Sequence, residues 1–138
     1  KDSKLCNILF AKELSNRLKK VNLSIPIIAW APGLVISKDK EGFFRYSRKY
    51  NQIGQFIFAT LARDLLKITT SNEMAASLLV ELVLLEKYRQ NGFNYYSNKL
   101  ISPGNFVFER TDTSNESQIE GLAKEFWQLS DTLISKEN

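Results

Sequence analysis

Apolar and polar residues are interleaved with helical spacing at the start of the chain. Leu5, Ile8, Leu9, Leu14 and Leu18 recur near one stripe, with Lys12, Glu13, Asn16, Arg17 and Lys20 largely between them. The spacing predicts an amphipathic helix over residues 2–20 with one buried face. The pattern then changes to "IPIIAWAPGLVIS", a nearly continuous apolar run that is rich in isoleucine and closed by Pro32-Gly33. Such a run predicts a strand buried on both faces, and therefore a parallel sheet.

Residues 38–50 mix charge with Phe43, Phe44, Tyr46 and Tyr50 and show no steady period, which predicts a loop or a short helical segment. "QIGQFIFATLARDLL" (52–66) has helical spacing but is apolar nearly all round, so a ligand or a second subunit is expected on its outer face. Thr70 with Glu73 predicts a capping box, and a helix follows to about Glu86 with a stripe of Met74, Leu78, Leu79, Leu82 and Leu85. Asn91-Gly92 breaks the chain, and "FNYYS" has strand composition. Residues 98–117 read as irregular and turn-rich. A last helix is expected from about Ser117 to Ile134, with Phe126 and Trp127 as its core anchors.

Strand, helical crossover, strand is the βαβ order. The predicted fold is α/β, the C-terminal half of a Rossmann-like doubly wound parallel sheet. Residues 1–138 are then one partial domain, since a sheet of two strands does not stand alone, and with no Gly-x-Gly-x-x-Gly in the sequence its N-terminal dinucleotide-binding half is expected to be absent.

Composition narrows the chemistry. A chain of 138 residues, 43% hydrophobic, is long enough to bury one core. Its net charge of +4 is dispersed in mixed clusters such as Lys38-Asp39-Lys40-Glu41 and Arg63-Asp64, the pattern of a solvated surface and not of a nucleic-acid stripe. The single cysteine excludes an internal disulfide, predicts an intracellular protein, and with no histidine leaves no zinc set, so no metal is expected. Without imidazole, proton transfer falls to Lys, Tyr, Ser or carboxylates. The apolar runs at 25–36 and 74–85 are too short or too interrupted to span a bilayer, which leaves peripheral membrane association open.

The order of features resembles the short-chain dehydrogenase/reductases, in which a Tyr-x-x-x-Lys site opens a long helix that leads into a buried strand ending in Pro-Gly. Lys1-Asp2-Ser3-Lys4 would supply the three spacers and the lysine, with the tyrosine just before residue 1. "KDSKLCN", "WAPGLV", "NYYSN" and "AKEFWQLSDTLI" are most similar to the light-dependent protochlorophyllide oxidoreductases within that family. The retinol dehydrogenase branch is similar but less close. The segment "LVISKDKEGFFRYSRKYNQIGQ" departs from the substrate-loop sequence of the plant-type enzymes.

The resemblance implies an NADPH-dependent reductase of chlorophyll biosynthesis, in a bacterial cytoplasm or a plastid. Lys4 would act with the absent tyrosine and hold the nicotinamide ribose. Pro32, Gly33, Leu34, Val35 and Ser37 would border the nicotinamide, and Cys6 would offer a thiol on the substrate side. A tetrapyrrole or another large hydrophobic substrate would lie against Phe43, Phe44, Tyr46 and Tyr50, with Arg45, Arg48 and Lys49 pairing with its carboxylates.

Other readings stand beside these. Lys4 by residue type is a solvated helix lysine, Cys6 a small buried hydrophobe, Pro32-Gly33 a plain turn, and the aromatics the packing of a lid. The apolar helix 52–66 equally suits a homo-oligomer interface. The alternatives for function are a dark-acting reductase of a retinoid-like or other hydrophobic carbonyl, and a non-catalytic reductase-like interaction module.

Overall fold

A computed structural model describes residues 2–37, Tyr46 and 50–136. Helix α1 (Asp2–Lys20) leads to β1 (Pro26–Ala31), and α2 (Gln52–Ala59) runs on into a π-helical segment (Thr60–Leu65). Helix α3 (Asn72–Leu84), β2 (Gly92–Ser102), β3 (Asn105–Arg110) and α4 (Leu122–Lys136) follow, with short 3-10 turns before β2 and before α4. The three strands form one mixed sheet in the order β1-β2-β3, with β1 and β2 parallel. Among the described residues no helix is long and apolar enough to cross a membrane.

The chain divides into two compact units, Lys1–Trp30 with Arg89–Tyr96 and Arg110–Asn138, and Ala31–Tyr88 with Ser97–Glu109. In the first unit α1 buries Leu9 and half-buries Leu5, Ile8, Leu14 and Leu18, as their spacing requires. It packs against α4, where Phe10 stacks on Trp127 at 4.9 Å and the Arg17 guanidinium lies 4.4 Å over the same ring. Glu13 is buried and is held by Arg17 at 3.0 Å, so its charge is compensated within one helical turn. Helix α1 stops at Asn22, which takes φ +58 while the Leu23 amide donates to the Leu18 carbonyl, a left-handed stop that asparagine tolerates.

The core of the second unit is Ile36, Ala59 and Ala62, with Ile68 packed against them. Asn51 caps α2 by accepting from the Gly54 amide at 2.8 Å. Tyr88 is buried and meets Phe108 of β3 edge-on, with ring centroids 5.8 Å apart.

Five expectations are corrected. All six residues of β1 are half-buried, so the strand is not covered on both faces. The cap of α3 is Ser71, whose Oγ accepts from the Met74 amide, while Thr70 is drawn into a parallel bridge with Val35. The stripe of α3 is buried at Ala75, Leu78 and Leu82, and Met74, Leu79 and Leu85 are exposed, because the helix turns a face three residues wide inward. Residues 98–110 are not irregular: β2 continues to Ser102, turns through Pro103-Gly104 and returns as β3. A two-residue connection makes that pair antiparallel. Last, α4 begins at Leu122 and not near Ser117, because Gly121 holds φ +82 and Ser117 belongs to a separate 3-10 turn.

Candidate functional site

Lys4 lies in the opening turn of α1 and is exposed. It lines a cavity of about 310 Å³ in the first unit, together with Asp2, Tyr95 of β2, and Thr113, Ser114 and Glu116 of the segment that follows β3. Leu5 and Ile8 of α1 also line it, so the cavity combines an apolar wall with one ammonium, two carboxylates, two aliphatic hydroxyls and a phenol as donors and acceptors. The volume is near the small end for ligand pockets and takes a sugar-sized group, not a whole dinucleotide.

The segment carrying Thr113 and Ser114 is anchored to α1 by Lys12. Its Nζ donates to the Ser117 carbonyl at 2.7 Å and lies 5.8 Å from the centre of the Phe93 ring. Burial pushes the Lys12 pKa below its ordinary value, with the Asp112 carboxylate acting in the opposite direction. Ser117 itself is buried; its hydroxyl donates to the Ser114 carbonyl at 2.7 Å and accepts from the Thr113 hydroxyl at 2.6 Å. Cys6 is half-buried on α1.

The Pro-Gly segment lies in the second unit and has a tightly bonded surround. The Pro32 carbonyl accepts from Thr70 Oγ1 at 3.0 Å and from Asn98 Nδ2 at 3.4 Å, and Asn98 Nδ2 also donates to Thr70 Oγ1 at 3.1 Å. The Thr70 amide donates to the Leu34 carbonyl at 2.8 Å, and the Ile36 amide to the Thr70 carbonyl at 3.3 Å. Gly33 has φ +85, and a Cβ there would stand 3.3 Å from both Asn98 O and Thr70 Oγ1. Glycine is therefore demanded at this position by neighbouring protein atoms, whatever binds beside it.

Of the site residues expected from the sequence, Lys4 and Cys6 share α1 in the first unit. Pro32, Gly33, Leu34, Val35 and Ser37 lie in the second unit, the first four bound up with Thr70 and Asn98. Tyr46 and Tyr50 are 73% and 92% exposed. Phe43, Phe44, Arg45, Arg48 and Lys49 lie outside the described residues.

The sequence reading missed Tyr95, Thr113 and Ser114 beside Lys4, and Thr70 and Asn98 beside Pro32. The one signal for them was "NYYSN" (94–98), which contains both Tyr95 and Asn98. No protein-family model and no curated protein matches this chain.

Proposed function

We propose that the chain is the C-terminal part of an NADPH-dependent short-chain reductase, similar to the light-dependent protochlorophyllide reductases, with its fold the second half of a doubly wound sheet. The observation that carries the reading is the placement of Lys4 in the opening turn of a long helix, lining a cavity that joins the apolar Leu5 and Ile8 to the hydroxyls of Tyr95, Thr113 and Ser114. Support also comes from a strand that follows this helix and leads into Pro32-Gly33, and from its parallel pairing with the next strand in sequence.

On this reading a tyrosine four residues before Lys4 projects on the same helical face. The Lys4 ammonium favours the phenolate, lowering the tyrosine pKa, and donates to ribose hydroxyls so that the nicotinamide is oriented. NADPH supplies the hydride when bound. The tyrosine gives its proton to the other carbon of the reduced double bond, so the substrate gains one hydride and one proton. By the resemblance alone, Pro32 to Val35 and Ser37 would border the nicotinamide, and Cys6, Phe43, Phe44, Tyr46 and Tyr50 would serve the tetrapyrrole.

The test is absorption and fluorescence of the protein with its upstream residues, mixed with NADPH and protochlorophyllide in the dark and then illuminated. A red-shifted bound pigment converted by light is expected, and Lys4→Met abolishes the conversion. Pigment that neither binds nor reacts overturns the reading. NADPH oxidation in the dark with a retinoid aldehyde would transfer it to the carbonyl-reducing branch.

A further inference from the structure

A second cavity, of about 540 Å³, lies wholly within the second unit, inside the ordinary size range for small-molecule sites. We propose that it binds a phosphate-bearing small molecule, with the phosphate between Arg63 and Lys67 and the organic part against Phe106 and Met74.

The charges come first. Among the described residues, the charged side chains that line the cavity are Arg63, Lys67 and Glu73. Arg63 gives Nε and Nη2 to Asp64 at 2.7 and 2.8 Å, which fixes the guanidinium and leaves Nη1. Lys67 has no ion pair among the described residues. Thr69 lines the cavity beside it, and Ser71, whose Oγ accepts from the Met74 amide, keeps its hydroxyl proton to donate. The lining thus offers donors from a guanidinium, an ammonium and two hydroxyls. That arrangement suits the three terminal oxygens of a phosphate monoester better than the two of a carboxylate.

The backbone at Lys67 gives the second argument. The π-helical segment ends with the Leu66 amide donating to the Leu61 carbonyl and the Ile68 amide to the Ala62 carbonyl, and Lys67 between them takes φ +51. This is the left-handed stop that α1 makes with Asn22, but lysine carries a steric cost there that asparagine largely avoids and glycine does not have. The Lys67 carbonyl accepts from the Gly104 amide at 2.8 Å, so the turn between β2 and β3 holds the strained residue in place. A strained residue whose cationic side chain lines a cavity is expected where the side chain has a ligand to hold.

Phe106, Met74 and the buried Ile36 give the cavity apolar lining for the organic group. Ser37 also lines this cavity, but the inference stands without the reductase reading, because phosphate binding is read on the protein alone and light-driven turnover decides the other.

The test is titration of the isotopically labelled protein with inorganic phosphate and with phenyl phosphate, chloride holding the ionic strength constant, followed by amide resonances. Saturable shifts are expected at Lys67, Ser71, Asn72 and Gly104, with phenyl phosphate binding at least tenfold tighter than inorganic phosphate. Lys67→Met weakens both tenfold or more. Lys67→Gly accepts the left-handed backbone without strain, so it keeps or raises the Tm while losing the same binding. Unchanged affinity in both variants, or shifts spread over all basic surfaces, overturns the site. Equal affinity for the two probes overturns the assignment of the apolar side.

Discussion

Thr70→Val tests whether the bonds around Pro32 hold the Pro-Gly segment. The substitution keeps the β-branched shape, and it keeps the backbone bonds of residue 70 to Leu34 and Ile36, so it opens no cavity and removes only a hydroxyl. Thr70 is 2% exposed and Asn98 8%, so water does not replace what is lost. The Pro32 carbonyl would keep one bond of 3.4 Å, and Asn98 Nδ2 would lose its 3.1 Å acceptor. At about 1 kcal/mol for each of two hydrogen bonds, and more where a buried donor is left short, the loss is about 2 kcal/mol. For a chain of this size that lowers the Tm by about 6–8 °C.

Urea unfolding followed by far-UV circular dichroism is the assay, because it reads the loss of helix and strand throughout the chain. A double-mutant cycle with Asn98→Leu should return a coupling of about 1 kcal/mol. A Thr70→Val protein within about 0.5 kcal/mol of wild type, the ordinary scatter of neutral substitutions, would refute the reasoning, most clearly if Thr70→Ser lost as much.

Three further outcomes are expected. Gly33→Ala should cost about 1–2 kcal/mol for the left-handed backbone, with crowding against Asn98 and Thr70 added, and equal urea midpoints would show that the turn relaxes freely. Trp127→Ala removes both the stacking on Phe10 and the seat of Arg17, and should destabilise by about 2–3 kcal/mol, less than for a fully buried tryptophan; Trp127→Phe should recover part of this. Lys12 is the pH probe: its folded pKa is lowered by burial, so the unfolded chain binds the proton more tightly. Stability therefore rises with pH between the lowered folded pKa and the unfolded value of about 10.4, and the penalty is fully present below that window. The wild-type profile minus that of Lys12→Met should show the rise, and a flat difference would count against a desolvated Lys12.

What the sequence revealed of the fold follows from the range of the signals. Helix α1 was legible because its stripe and its stop at Asn22 lie within one run of residues. The hairpin β2–β3 is hidden in the sequence, although Pro103-Gly104 sits between "NKLIS" and "NFVFER", because the strand composition of "FNYYS" gives way at Asn98 and Lys99 to polar residues typical of a loop. The structure shows why polar residues belong there: Asn98 is buried with its side chain bonded to Pro32 and Thr70, and Lys99 pairs across the hairpin with Glu109 at 2.9 Å. The cap of α3 slipped by one residue for a related reason. Thr70 and Ser71 are equally good caps by type, and only the bridge from Thr70 to Val35, distant in sequence, selects Ser71.

The candidate site divides along the same line. Lys4 is suggested by a resemblance carried on one short run, "KDSKLCN", which one sequence suffices to show. Its surroundings arise from two other elements: β2 carries Tyr95, and the return after β3 carries Thr113, Ser114 and Glu116. That return is held within itself by the Ser117 hydroxyl, bonded to Thr113 and Ser114, and is tied to α1 by Lys12, whose acceptor is a backbone carbonyl that every residue type possesses and so leaves no mark in the sequence. The hydroxyls near Lys4 are therefore set in part by α1, through Lys12 on the helix that also bears Lys4. Loss of the Lys12 bond should therefore loosen Thr113 and Ser114 and weaken any sugar held at Lys4, even though Lys12 does not line that cavity.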